Sequence, residues 1–372
     1  MSKTAFSPSQ LIRPNVVSLK PYTPIVPFDI LSQELNRAPE DIIKLDANEN
    51  PYGPSLRVAE VLAEAQYMHI YPDPESRNLR AALAEYTNLG AEYLLVGSGA
   101  DELIDLIMRL FIDPGDKIVN CPPTFGMYAF DGDINAAEII AVRRRPDFSI
   151  DVGTIETLFA ESQSKPHPKL IFVTSPNNPD GSILSDSDLQ RLLALPTVVV
   201  LDEAYVEFSS GSRIQWVEQH PNLIVLRTFS KWAGLAGLRV GYGAFPLDLI
   251  EQLWKIKQPY NVNVAASLAA QAALNDLDWL HENVALIVQE RERMLAKLAQ
   301  FEWLHPYPSQ SNFVLFRVNG RSAQHLKLDL EQEGVFVRYF NKPGVDNCIR
   351  ISAGRPEDTN RLVDAIKKVS QV

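Results

Sequence analysis

The sequence predicts an α/β fold, a mainly parallel sheet between helices, with a smaller α+β domain after it. Three observations carry this expectation. From about residue 93, short apolar and β-branched runs alternate with longer amphipathic stretches, and the runs are apolar throughout, as strands covered on both faces are. Beyond about residue 300 the order changes to further strand-like runs and a closing helix. With 372 residues, 46% of them hydrophobic, the chain exceeds what one core usually accommodates.

The first set of strands reads "YLLVG", "KIVNC", "EIIAV", "KLIFVTS", "TVVVLD", "LIVLRTFS" and "VGYGAF". After the first of them, "ADELIDLIMRLF" places apolar residues at helical spacing, and Pro114-Gly115 closes it with a turn. The stretch from about 265 to 300 reads as long helices that could bridge two domains. The smaller domain follows with "NFVLFRV", "GVFVRYF", "CIRISAG" and the helix "PEDTNRLVDAIKKV". In such a sheet, ligands bind beyond the carboxyl ends of the strands.

Lys plus Arg number 35 against 46 Asp plus Glu, a net charge of −11, which sets aside nucleic acid and anionic membrane as main partners. No apolar run approaches the roughly 20 residues of a spanning helix, and the first residues lack the apolar core of a signal peptide. Cys121 and Cys348 lack zinc-type spacing, so no metal centre is expected, and so few thiols fit a reducing compartment. A cytoplasmic enzyme is the expectation.

Polar residues gather at four strand exits. "VGSGADELI" sets two glycines ahead of a helix whose first amides can face a phosphate. Glu102 stands where the dinucleotide fingerprint G-x-G-x-x-G needs its third glycine, which argues against a nicotinamide site. "TSPNNPDG" at 174–181 is a turn by composition and holds Asn178. "VVVLDEAYVEF" ends a fully apolar strand on Asp202, with Tyr205 shortly after. A carboxylate buried there needs a partner; with no G-x-x-x-x-G-K-[ST] in the chain, that partner is not an ATPase metal.

The fourth exit, "TFSKWAGLAGLRVGY", brings Thr228, Ser230 and Lys231 out of a strand, with Arg239 further on. Hydroxyls and a guanidinium suit a phosphate, and a lysine amine condenses with an aldehyde. Asp202 then suits a protonated pyridine nitrogen. Phe125, in "CPPTFGMYAF" just past "KIVNC", suits an aromatic face. These needs together describe pyridoxal 5'-phosphate.

At this point the chain resembles the fold type I pyridoxal-phosphate aminotransferases over nearly its whole length. The resemblance lies in "SPNNPDG", "LDEAY", "SKWAGLAGLRVGY", "KLDANENPYGPS" at 44–55, "YPDPES" at 71–76 and "CPPTFGMY" at 121–128; "NNPDG" and the lysine segment mark the broad class, while "LDANENPYGP" followed by "YPDP" is similar to a subfamily that acts on histidinol phosphate. The resemblance implies a large domain with a mainly parallel seven-stranded sheet over residues 46–270. It also implies an interdomain helix and small domain over 271–372, and an N-terminal segment, 1–45, shared between the small domain and a dimer contact.

It implies further that Lys231 bonds the cofactor's aldehyde, Asp202 holds the pyridine nitrogen, Asn178 and Tyr205 bind the ring hydroxyl, and Phe125 stacks on the ring. The phosphate falls to the amides of Ala100 and Asp101, to Thr228, Ser230 and Arg239, and to Tyr71 reaching from the other subunit of a homodimer. Arg350 in "CIRISAG" and Arg338 in "GVFVRYF" are implied for the substrate's acidic groups, with Tyr22 and Asn48 completing the pocket. The implied reaction is amino transfer between L-histidinol phosphate and 2-oxoglutarate, giving imidazole-acetol phosphate and L-glutamate in histidine biosynthesis.

Asp180, Phe125 and Trp232 depart from the family's frequent threonine, tyrosine and smaller residue, and none removes a required chemical group. Three rivals are kept: an aromatic amino-acid aminotransferase, a carboxy-lyase acting on a phosphorylated amino acid, and a cofactor sensor fused to a DNA-binding module. The last is opposed by the negative charge and by the absence of a basic helical module.

Overall fold

Apolar runs too uniform to have a wet face build the larger of two sheets. The structure is a computed structural model that describes residues 6–21, 26–161 and 166–370. In chain order its strands are β1 (Ile43–Leu45), β2 (Leu94–Gly97), β3 (Lys117–Asn120), β4 (Glu138–Ala141), β5 (Leu170–Thr174), β6 (Val198–Asp202), β7 (Leu223–Thr228), β8 (Gly241–Ala244), β9 (Leu304–Pro306), β10 (Phe313–Val318), β11 (Val335–Tyr339) and β12 (Cys348–Ser352). The larger sheet has seven strands in the order β2-β8-β7-β6-β5-β3-β4.

From β7 to β4 every pairing is parallel, and β8 runs against both β7 and β2. Successive side chains of each strand feed opposite faces. Ile171, Val173, Val199, Leu201 and Val225 enter one core, whereas Leu170, Phe172, Val200, Ile224 and Leu226 enter the other, against the helix Gly99–Phe111. Both faces are therefore dry, which is why the runs show no period of two. The expected α/β architecture is the one found.

The second sheet has five strands in the order β1-β11-β12-β10-β9. β1 lies parallel to β11, and the other pairings are antiparallel. β1 and β9 are three residues each, too short to print a periodicity, and the sequence reading did not resolve them as strands. The helix Leu277–Leu298 serves both cores: Leu280, Val284 and Ile287 join the larger, Met294 and Leu298 the smaller.

This plan brings several strand ends to one edge. Thr228 pairs with Gly241, and Gly241 with Gly97, so the ends of β7, β8 and β2 lie in one row. That row is tight: a Cβ on Gly241 would sit 2.6 Å from the Ala100 amide nitrogen and 2.9 Å from the Arg227 carbonyl oxygen. Glycine is required because both obstacles are backbone. Among the described residues, no helix is long and apolar enough to cross a membrane.

Candidate active site

At that row of strand ends a cavity of about 280 Å³ opens between the two sheets. Its walls include Lys231, Asp202, Tyr205, Asn178, Ala100, Asp101, Phe125, Thr228, Ser230, Arg239, Asn48, Arg338 and Arg350. These are residues the sequence singled out from eight separate stretches of chain. Two candidates are not among them. Tyr71 is 79% exposed and stacks on Tyr260 with ring centroids 4.7 Å apart; Tyr22 lies outside the described residues.

Asp202 is the last residue of β6, in register with Thr174 on β5. Its Oδ1 accepts from the Ala204 amide at 2.9 Å, and its Oδ2 accepts from the Tyr128 hydroxyl at 2.5 Å. No cation touches it among the described residues. Burial pushes the carboxyl up to about 6, with Asp101 and Glu203 adding to the rise and the two hydrogen bonds opposing it. The carboxylate is thus the unfinished half of an ion pair, turned toward a cavity.

Lys231 follows β7 through Phe229 and Ser230, and Phe229 and Trp232 on either side are fully buried. Trp232 stacks on Tyr86 at 5.3 Å, and with Ala233 and Leu235 it is core, which fixes where the amine emerges. Lys231 Nζ donates to the Ala47 carbonyl at 3.1 Å. Burial pulls the amine down to about 8; Arg350 and Arg239 lower it further, against the pull of Glu49 and Asp101. The shift raises the fraction of free amine near neutral pH far above that of an ordinary lysine, which a nucleophile or proton carrier needs.

The helix Gly99–Phe111 starts at the cavity floor with Ala100 and Asp101 in its first turn. Gly99 has φ of +77°, and a Cβ there would meet Arg239 Nη2 at 2.5 Å. Arg239, itself left-handed at φ 53°, holds Asp101 at 3.0 Å and reaches Ser230 Oγ at 3.5 Å. Thr228 Oγ1 donates to Ser230 Oγ at 2.9 Å and receives the Ser230 amide at 3.1 Å. Amides at a helix start, two hydroxyls and a guanidinium form a cradle suited to a phosphate. Glu102, read as breaking the dinucleotide fingerprint, instead accepts from the Ser98 amide at 2.5 Å and from Asn261 at 2.7 Å.

The small sheet closes the other wall. Arg338 on β11 pairs directly with Arg350 on β12. Like charges at opposed positions destabilise a sheet unless something negative lies between them. Arg350 is 5% exposed; it donates to Asn178 Oδ1 at 2.7 Å and to the Asp46 carbonyl at 2.5 Å, over the Phe313 and Phe340 rings. Asn48, buried and left-handed at φ 56°, donates to the Tyr205 hydroxyl at 3.0 Å while its amide and Oδ1 bond Ser352 Oγ. One asparagine therefore ties the large sheet's exit to the small sheet.

Sequence reasoning missed Tyr128, Thr124, Thr174 and Lys342. Tyr128 and Thr124 sit inside the quoted "CPPTFGMYAF", where a helical spacing beyond Phe125 was the available signal; Thr174 opens "TSPNNPDG", where only Asn178 was singled out. Asp180 and Trp232, named as departures, are buried away from the cavity walls.

The family model for aminotransferase class I and II matches residues 40–366, and the chain belongs to that family. Histidinol-phosphate aminotransferase, chloroplastic, of Nicotiana tabacum is 57% identical, over 96% of this chain and 86% of its own length. Histidinol-phosphate aminotransferase of Roseiflexus castenholzii is 51% identical, over 97% of this chain and 98% of its own. The crystal structure of histidinol-phosphate aminotransferase from Sinorhizobium meliloti in complex with pyridoxal-5'-phosphate matches with a TM-score of 0.86 at 29% identity, over 99% of both chains. The aminotransferase resemblance read from the motifs is borne out.

The Lys231 shift makes a prediction about the cofactor-free chain. The folded amine binds its proton less tightly than the unfolded one, so between about 8 and the ordinary 10.5 the unfolded chain carries the extra proton. This group's contribution to stability therefore rises with pH through that window. Lys231→Met is expected to melt about 2–4 °C above the parent near pH 7 and to lose that advantage toward pH 10, measured by calorimetry across the range.

Proposed function

We propose that this chain is a histidinol-phosphate transaminase, moving an amino group reversibly between L-histidinol phosphate and 2-oxoglutarate to give imidazole-acetol phosphate and L-glutamate. The observation that carries it is the convergence in one cavity of Lys231, the cation-free carboxylate Asp202, a phosphate cradle and two facing arginines. The 51–57% identity to relatives of that name supports the choice of substrate.

The cavity fits pyridoxal phosphate group for group. When bound, that cofactor supplies an aldehyde to take up an amino group and a ring to accept the electrons left when the neighbouring carbon loses its proton. Ala100, Asp101, Thr228, Ser230 and Arg239 hold its phosphate; Asp202 keeps the ring nitrogen protonated; Asn178 and Tyr205 take the ring hydroxyl; Phe125 covers a face. Lys231 Nζ takes the proton from the donor's amine-bearing carbon and delivers one to the matching carbon of the acceptor. Its lowered basicity raises the share of amine whose lone pair is available to do so.

Arg350 and Arg338 bind the acidic groups of the two substrates in turn, since the donor brings a phosphate and the acceptor two carboxylates. A guanidinium fork accepts either. Asn48 completes this end. An aromatic amino-acid aminotransferase is the second reading, because Phe340 and Phe125 give the cavity apolar walls that a phenyl ring also satisfies.

The active unit is proposed as a homodimer in the cytoplasm. The exposed Tyr71 and Tyr260 pair supports the dimer, as a surface on which Tyr71 reaches the partner's cofactor phosphate. The two buried free cysteines support a reducing compartment. Sedimentation is expected to give twice 41.6 kDa; a monomer that turns over normally contradicts the shared site.

Turnover with 2-oxoglutarate is expected to favour L-histidinol phosphate over L-phenylalanine by roughly a hundredfold or more in kcat/KM, since a site built to bond a phosphate rejects a donor that lacks one. Preference for phenylalanine would install the second reading. Lys231→Ala is expected to lower kcat by about a thousandfold or more while still binding the cofactor.

A further inference from the structure

We propose that Tyr128 is a positioning residue for the cofactor's ring nitrogen: its hydroxyl aims Asp202 and keeps that carboxylate charged in a site that offers it no cation. The inference rests on the cofactor reading above and goes beyond it by assigning a role to a side chain outside the cavity.

Tyr128 lies on the helix Met127–Ile134 and is fully buried. Its ring stacks on Phe172 at 4.9 Å and 19°, and meets Phe125 edge-on at 5.6 Å and 80°. The ring is thus gripped on two sides, and its hydroxyl is delivered to Asp202 Oδ2 at 2.5 Å and Thr174 Oγ1 at 2.9 Å.

The polarity of these bonds follows from counting protons. Thr124 Oγ1 donates its proton to Asn177 Oδ1 at 2.8 Å, so across the 3.2 Å contact with Thr174 it can act only as acceptor. Asn177 Oδ1 is an acceptor fixed by its Nδ2, which donates to the Pro123 carbonyl and to Asp180. The ionised Asp202 has no proton to give, so the phenol's single proton goes to its Oδ2. The Tyr128 oxygen can then only accept across its 2.9 Å contact with Thr174, and Thr174 is the donor there.

Asp202 has little else to keep it charged. Ala204 contributes one amide, and the charges it feels most, Asp101 and Glu203, are carboxylates. Glu203 turns away, bonding Ser212, the Arg213 amide and Arg227. A hydrogen bond to an ionised acceptor in a dry site is of the strong kind. Without it, Asp202 competes better for the proton that the ring nitrogen needs.

The test uses the purified holoenzyme. Tyr128→Phe keeps the packed ring and removes the hydroxyl. The variant is expected to take up pyridoxal phosphate with its lysine-bound visible band. The pH midpoint of that band should rise by about half a unit or more, and kcat should fall roughly tenfold with KM within about twofold. Thr174→Val is expected to shift the midpoint the same way by less. In an Asp202→Asn background, Tyr128→Phe should change neither midpoint nor kcat further, which a merely structural tyrosine would not obey.

An unchanged midpoint and kcat in Tyr128→Phe, or an equal added loss in the Asp202→Asn background, overturns the role. If Tyr128→Phe does not fold, the Thr174→Val midpoint decides alone, and no shift there overturns the role. A parent protein that takes up no pyridoxal phosphate overturns the functional reading instead, and this inference with it.

Discussion

A buried carboxylate without a cation organises this molecule. Asp202 ends a strand with no wet face, and charge in such a place is tolerated only where hydrogen bonds and an opposite charge offset desolvation. The chain supplies the hydrogen bonds, from Ala204 and Tyr128, and none of the described residues supplies the cation. Lys231, which could have filled that role, gives its amine to the Ala47 carbonyl instead. The two groups share a cavity while each remains incomplete, so a ligand with a protonated ring nitrogen and an aldehyde satisfies both at once.

The fold makes this arrangement possible by aligning strand ends. Parallel pairing from β7 to β4 sends every carboxyl end to one edge, and β8, running the other way, brings Gly241 against the first turn of the helix Gly99–Phe111. The small sheet contributes like charges held face to face on β11 and β12. Asn48 joins the two by bonding Tyr205 on one side and Ser352 on the other. The two walls of the cavity are thereby tied together through one buried amide side chain.

Much of this was legible in the sequence because its signals are chemical. Strands such as "TVVVLD" show burial on both faces, and a lone Asp or Lys in an apolar run has no bland explanation strong enough at four strand ends together. What stayed hidden depends on packing: β1 and β9 are too short for a period, Tyr128 looks like any core aromatic until its hydroxyl is seen on Asp202, and the facing of Arg338 with Arg350 is set by strand register. Tyr71 was legible as a motif residue, yet within one chain it only stacks on Tyr260.

The most direct measurement is the visible absorption spectrum of the pyridoxal-phosphate-loaded protein as L-histidinol phosphate is added with no oxo acid present. The account predicts loss of the lysine-bound band in favour of the aminated cofactor, and its return on adding 2-oxoglutarate. A band that persists through both additions, in protein that has bound the cofactor, would contradict amino transfer from this donor.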